Sequence, residues 1–382
     1  MKFLKKISLL FIALFTGIFS IAQQIENKNT EGKYRAVHWD IDDRLSQGVV
    51  TSLLKDVNGF LWIGTEAGLN RFDGNTFKIY FADKNKKNRT IIGDNINSLI
   101  EDSLHNIWIG TDKGLSCYDI KADTFKNFSS SIGGQSIVVF WATKDDVFFW
   151  DYPESQLAAY NIHSFTKRTL VKLNVFSDSV GYVVTDKAAI FDASSNRVWM
   201  VKGIPGWAGG TGGGLLQISL TNGKRQNFTW SCYRKMINHS HFSQGMRYDR
   251  VRNSIWLNSP DGLIEFTLRD KKFHHTDALN KWVNVQDFGD WAGIDIDVSG
   301  RVWIGTTPSG IIIYNPLDNS ARLAFPNDSV LQNTVSDANV TIYCDEYGMV
   351  WSGFWTRKGV YQLIPFSEAA LYNRYHKASF IK

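Results

Sequence analysis

The chain repeats itself, and a repeat of this length leaves few folds open. From Asp56 it reads DVNGFLWIGTEAGLNRFDGNTFKIY, and from Asp102 DSLHNIWIGTDKGLSCYDIKADTFKNF, which aligns almost without gaps. A third copy, DVSGRVWIGTTPSGIIIYNPLDN, begins at Asp297. More divergent copies begin at Asp249 and Asp345, and degenerate ones at Lys144 and Asp192. One aromatic marks each unit: Trp62, Trp108, Phe148 or Trp150, Trp199, Trp256, Trp303 and Trp351. That makes seven units, and 351 − 62 over six steps gives about 48 residues per unit.

Each unit parses into short apolar stretches bounded by Gly, Asn or Asp, which favours strands over helices. In the first unit these are VVTSLLKD, a D-x-x-G turn, LWIGT, GLNRFD and TFKIY. Four strands per unit of this length is the signature of a β-propeller blade. The composition agrees: 14 Trp, 31 Gly and only 7 Pro suit short strands joined by tight turns. The expected fold is therefore all-β, a seven-bladed β-propeller of four-stranded antiparallel blades. The motif Trp fills the wedge between neighbouring sheets. The Gly two positions later (Gly64, Gly110, Gly305, Gly353) stands where a side chain would collide with the next blade. The Asp before each turn takes backbone N–H groups ahead of it.

The alternative is an open stack of repeats. The phase of the ends favours closure: KYRAVHWD (Lys33 to Asp40) reads as a fourth strand without a blade, and the seventh unit shows three strands ending near Leu363. The N-terminal strand would then complete the last blade and remove an exposed edge. The segment EAALYNRYH (Glu368 to His376) competes for the same slot.

The first 22 residues read as an export signal: Lys2, Lys5 and Lys6, then the apolar run Ile7 to Ser20, then Ser20-Ile21-Ala22, with cleavage before Gln23. That run is shorter than the ~20 residues a membrane span needs. Of the net charge of +5, these three lysines supply three, leaving about +2 and no basic excess for nucleic acid. With 21% charged and 43% hydrophobic residues the chain is not mainly disordered. The domain reading is 1–22 signal peptide, 23–366 propeller, and 367–382 an exit segment from which a further domain would continue in a longer protein. Cys117, Cys232 and Cys344 are too scattered for a disulfide framework or zinc site, and unpaired thiols are expected.

NINSLIEDSLHNIWIGTDKGLSCYD (Asn95 to Asp119) and VVTSLLKDVNGFLWIGTEAGLNRFD (Val49 to Asp73) resemble the two-component regulator propeller repeat nearly throughout. Tyr34 to Val50 is similar to the segment that leads into that family's propellers. The resemblance spans roughly residues 34–366 and is closest in units one, two and six. It implies the periplasmic sensor portion of a histidine kinase or hybrid two-component protein, many of which are tied to glycan uptake in Gram-negative bacteria. The sequence departs from that pattern in having no immunoglobulin-like connector, membrane helix, kinase or receiver. It is then either a fragment, at the periplasmic face of the inner membrane, or a free-standing periplasmic propeller. A downstream membrane or kinase domain, or a partner protein, is the implied signalling partner.

No G-x-S-x-G, H-E-x-x-H or P-loop motif is present. Gly209 to Gly214 lacks a following helix, and His239, His241, His274 and His275 lack acidic or Cys partners at metal-ligand spacing. No catalytic residue, metal or cofactor is assigned. A binding role is better supported, because propeller loops between second and third strands gather on one face. Non-repeated residues there are the candidates: Trp207 on the long Gly-rich loop of unit four, Trp355, Arg357 and Lys358 in unit seven, and Asp261 in unit five. Trp291, on the connection into unit six, joins them. Trp faces stack on sugar rings and Arg holds a carboxylate or sulfate; packing over the core is the alternative role for Trp207 and Trp355. Trp141, Trp282, Gln47, Asn95, Gln286 and Asp290 are weaker candidates near the channel mouth. The leading reading is an exported module that senses a glycan or oligosaccharide. A propeller-fold lyase or glycosidase, or a protein-interaction scaffold, is the alternative.

Overall fold

The computed structural model describes residues 34–365, except 84, 86–88, 130–136, 152–153, 174–188, 203–213, 230–244, 260–261, 280–292, 307–309, 326–338 and 355–357. The described strands form seven four-stranded antiparallel sheets. Helix among the described residues is limited to one 3-10 turn at Asp277–Leu279.

Blade one shows the plan. Val50–Lys55, Leu61–Thr65, Gly68–Phe72 and Phe77–Tyr80 pair in sequence order. The first strands of the other blades are Ile96–Glu101, Ile137–Ala142, Ala189–Asp192, Gly245–Asp249, Ile294–Ile296 and Asn339–Cys344. Each lies beside the first strand of the next blade, and Asn339–Cys344 lies beside Val50–Lys55. The ring is closed; an open stack would leave that last pair apart.

The closing strand is the N-terminal one. Tyr34–Trp39 pairs antiparallel with Val360–Pro365 from Tyr34↔Pro365 to Trp39↔Val360, giving blade seven its outer strand. Gly359 makes the approach feasible: a Cβ there would stand 2.2 Å from the Trp39 carbonyl oxygen. The competing segment 368–376 lies outside the described residues.

The motif Trp residues do fill the wedges, each against the following blade. Trp62 packs with Ile96, Leu99 and Ile109 of blade two, and Trp303 with Ile342, Val350 and Leu363 of blade seven. Trp351 packs with Val50, Leu53 and Ile63 of blade one, closing the circuit. In blade three Phe148 and Trp150 share this role: both are buried with Phe191 and Val198 of blade four. A Cβ at Gly64 would meet Ile96 Cγ2 at 2.6 Å, at Gly110 the Ile137 carbonyl oxygen at 2.4 Å, and at Gly353 Val50 Cγ1 at 2.5 Å.

The turn Asp does more than cap the turn. Asp56 Oδ1 accepts from the backbone N–H groups of Asn58 and Phe60, while Oδ2 accepts from Trp62 Nε1 at 2.7 Å. Asp102 with Trp108 and Asp297 with Trp303 repeat the arrangement at 2.7 and 2.8 Å. One carboxylate thus fixes both a tight turn and the polar end of a buried indole, which would otherwise lose its hydrogen bond on burial. Blade seven departs: Asp345 Oδ2 accepts from Lys55 Nζ of blade one at 2.8 Å, and Trp351 Nε1 has no partner. Cys117, buried in the third strand of blade two, and Cys344, at the end of the first strand of blade seven, are not in disulfides. Cys232 lies outside the described residues.

Candidate functional site

First strands run down from one face of the ring, and second strands return to it. The upper face therefore carries the loops between second and third strands together with the connections between blades. The lower face carries the Asp turns.

The loops on the upper face are short where they are described. Thr65 ends the second strand of blade one. Its hydroxyl accepts from Ala67 N at 3.1 Å and donates to the Gly68 carbonyl at 2.9 Å. Thr111 does the same with Lys113 N and the Gly114 carbonyl. Gly68 and Gly114, at φ of 120° and 146°, take conformations that a side chain would resist. The turns present Glu66–Ala67 and Asp112–Lys113.

Polar side chains buried in the third strands hold the incoming connections. Asn70 Oδ1 accepts from Ser46 N at 2.9 Å, and its amide donates to Ser46 Oγ at 2.8 Å and to the Ile63 carbonyl. In blade two, Ser116 Oγ accepts from Ile92 N at 3.0 Å and donates to Asn127 Oδ1, while Asn127 Nδ2 donates to the Thr90 carbonyl. Asp94 adds a third link, Oδ1 accepting from Ala82 N and the carbonyl from Gly68 N. The face over blades one and two is a hydrogen-bonded floor. Residue-by-residue reading missed this clamp, whose signal is a polar residue at the third position of G-L-N and G-L-S, where blades five, six and seven carry Ile264, Ile312 and Tyr361.

Two carboxylates stand out on this face. Asp151, at the end of the second strand of blade three, is 2% exposed. Its Oδ2 accepts from Lys167 Nζ at 2.6 Å and Gln156 Nε2 at 3.2 Å, and its Oδ1 has no partner. The Oδ1 of Asp112 is likewise buried without a partner. Among the described residues no cluster of three His, Cys, Asp or Glu could hold a metal ion, and no helix is long and apolar enough to cross a membrane.

Of the candidates named from sequence, Lys358 is described. It is half-buried, and its carbonyl accepts from the ring of His38 on the closing strand. Trp207, Asp261, Trp291, Trp355 and Arg357 lie outside the described residues, as do Trp282, Gln286 and Asp290. Gln47 and Asn95 serve the scaffold: the Gln47 side-chain carbonyl accepts from Val49 N, and the Asn95 main-chain carbonyl from Asp112 N at 3.1 Å. Trp141 is not on a connection. It lies inside the first strand of blade three, paired with Phe148 towards the lower face and packed on the core.

The two-component regulator propeller family matches residues 44–67 and 90–113, each running from an upper-face connection through the first two strands to the next upper-face loop. Over 38 residues, 10% of the chain, the sequence is 58% identical to a histidine kinase of Formosa agariphila, a match taking in 3% of that protein. The fold is similar to an extracellular domain from B. thetaiotaomicron assigned to a hybrid two-component system (TM-score 0.63, 20% identity, 86% of this chain and 42% of that one). A second extracellular domain from the same organism, assigned to a one-component system, gives a TM-score of 0.61 at 16% identity, over 86% of this chain and 39% of that one. Virginiamycin B lyase from Staphylococcus aureus gives 0.57 at 11% identity, over 87% of this chain and 99% of the lyase. The chain thus spans less than half the length of the two sensor-system domains.

Proposed function

We propose that this propeller, which carries two-component regulator repeats, is the exported ligand-sensing module of a two-component signalling system, and that its ligand is a glycan or glycan fragment. The observation that carries the reading is the pairing of those repeats with a fold shared, over 86% of the chain, with an extracellular domain assigned to such a system. In this reading residues 1–22 direct export to the periplasm, 23–366 form the module, and 367–382 lead towards a membrane and kinase partner. The upper face is the ligand face. Its described part supplies a fixed floor of short turns tied to the incoming connections. Trp207, Trp355 and Trp291 would stack on sugar rings, Arg357 and Lys358 would meet an acidic substituent, and Asp261 would accept from a hydroxyl.

The test is a calorimetric and glycan-array screen of residues 23–382, followed by Trp207→Ala, Trp355→Ala and Arg357→Ala. Loss of a stacking ring should remove roughly 1 kcal/mol or more, a several-fold loss of affinity. Normal binding by all three folded variants would sink the site, and no binding by any glycan would favour a scaffold. Turnover of a bound glycan would instead make the protein an enzyme, a lyase or glycosidase, on a fold it shares with virginiamycin B lyase.

A further inference from the structure

The lower face carries turns of two kinds. The third strand of each blade runs down again, so the turn between third and fourth strands opens beside the Asp turn. In blade five the two are tied together: Leu268 N donates to the Asn253 carbonyl at 3.2 Å, and Arg252 of the Asp turn pairs with Glu265 of the third strand at 3.1 Å. Each turn is also closed by its own bonds. Asp249 Oδ1 accepts from the N–H groups of Val251 and Arg252, and Lys271 N donates to the Thr267 carbonyl. Their outward side chains stand on a fixed base.

Val251 is 94% exposed, more than any other large apolar side chain among the described residues. Leu317, next at 83%, stands in the third-to-fourth turn of blade six. A chain of contacts joins the two turns. The Arg252 guanidinium lies over the Trp256 ring, Trp256 meets Tyr314 of blade six edge-on at 5.6 Å, and the Tyr314 hydroxyl donates to Asn319 Oδ1 at 3.1 Å. One exposed apolar residue at an Asp turn is common in this chain, as at Val57 and Val298. The charged setting of Val251 is not. It stands between Arg250 and Arg252, and the turn tied to it reads Arg269-Asp270-Lys271-Lys272. Arg250, Arg269, Lys271 and Lys272 are all exposed. Of the acids beside them, Asp249 is buried in its turn and Glu265 is paired with Arg252. Asp270 is exposed and accepts from Thr267 Oγ1; Asp318, after Leu317, is exposed and accepts from Ser320 N.

A protein partner would require such apolar tips to merge into one covered core. A bilayer does not: each tip enters the headgroup layer on its own, and the cations around it meet anionic headgroups. A soluble polyanion would engage the cations and leave Val251 and Leu317 in water. We propose that the lower turns of blades five and six dock on an anionic lipid bilayer, with Val251 and Leu317 entering the headgroup layer and Arg250, Arg269, Lys271 and Lys272 meeting lipid phosphates. The upper face then opens away from the membrane.

The test is sedimentation of residues 23–382 with lipid vesicles. The export segment is left off because its apolar run would enter the bilayer itself, and the described fold lies wholly within the remainder. Binding should be at least about tenfold stronger on vesicles with roughly one-third phosphatidylglycerol than on pure phosphatidylcholine, and should fall as salt is raised. Arg250→Glu with Lys271→Glu should weaken it about twentyfold or more, from about fivefold for each cation removed. Val251→Asn with Leu317→Asn should weaken it several-fold. All four positions are exposed, so the thermal midpoint should not move. Val57→Asn, the same change at the Asp turn of blade one, should bind normally. No binding to the anionic vesicles overturns the proposal, as does equal binding to the neutral ones. So does full binding by the Val251→Asn, Leu317→Asn variant, which would leave a soluble polyanion as the partner, or an equal loss in Val57→Asn, which would remove the contact from blades five and six.

Discussion

The indole of Trp39 lies against the indole of Trp351, centroids 5.8 Å apart and planes 27° from parallel. One belongs to the closing strand and the other to the second strand of the same blade. Trp39 also meets Phe72 of blade one edge-on at 5.0 Å. A single side chain therefore ties the N-terminal strand both to its own blade and across the seam. Trp39→Ala is expected to cost about 3 kcal/mol, the lower range for a large aromatic because Trp39 is only half-buried. Urea denaturation measures this; a loss under about 1 kcal/mol would mean that the backbone ladder alone holds the ring.

Trp62 and Trp351 are repeat equivalents with different polar ends. The first donates its indole N–H to Asp56, and the second has no acceptor. Trp62→Phe should therefore be more destabilising than Trp351→Phe by about 1.5–3 kcal/mol, the worth of a hydrogen bond to a charged acceptor. Equal losses in chemical denaturation would show that the Asp–indole bond contributes nothing net.

Three glycines separate steric from conformational cost. At Gly110 a Cβ meets backbone, at Gly64 the end of the Ile96 side chain, and at Gly59 nothing within 4 Å, although its φ is +86°. Gly110→Ala should lose the most stability, on the order of 3 kcal/mol or more, because a carbonyl cannot move aside. Gly64→Ala should fall between, and Gly59→Ala near 1 kcal/mol from its left-handed backbone alone. A different order in their thermal midpoints would contradict the blade-to-blade contact geometry.

Burial raises the phenol ionisations of Tyr34, Tyr118, Tyr160, Tyr314, Tyr343 and Tyr361, with desolvation the largest cause in each. The sign follows from linkage: the folded state keeps these protons after the unfolded chain, titrating near 10, has released its own. Their contribution is intact below about pH 10 and falls as pH rises past it. Stability should drop steeply above that pH, and an ultraviolet titration should show these phenols ionising only together with unfolding. Smooth ionisation near the ordinary value in the folded protein would refute it.

Cys117 should behave as an inert thiol. Burial is the main cause of its raised ionisation, and the charges of Asp102 and Asp119 push the same way. Alkylation at pH 8 should reach it only after denaturation, since the thiolate is the nucleophile. Labelling of Cys117 in the native protein, read by peptide mapping, would show that blade two opens locally.

The blades were legible because their signals are local: a turn Asp, an aromatic, and a Gly two places later recur in one strand pair. The closing strand was legible for the same reason, as a fourth strand lacking its first three. The Asp–indole bond was half visible, in the constant six-residue step from Asp56 to Trp62 and from Asp102 to Trp108, but its partners meet only when the hairpin folds. Trp141 was misplaced because the degenerate third unit hides where its first strand begins, and a bulge between Val139 and Trp141 shifts the register. The clamp of Ser46 on Asn70 joins residues 24 apart and recurs from Ile92 to Ser116, but among the described residues only in these two blades, and its partners meet only when the connection folds onto the third strand. Of the proposed ligand contacts Lys358 alone falls among the described residues, and there it is the main chain that is engaged. The ligand face depends on departures from the repeat, and a repeat instructs least about those.

The pairing of Tyr34 with Pro365 has a mechanical consequence. The two strands are antiparallel and their outer ends are adjacent, so tension between residues 33 and 366 would not shear the ladder. It would peel it like a zipper, one backbone pair at a time from Tyr34 towards Trp39, and the ring would yield at blade seven before any other blade bore load.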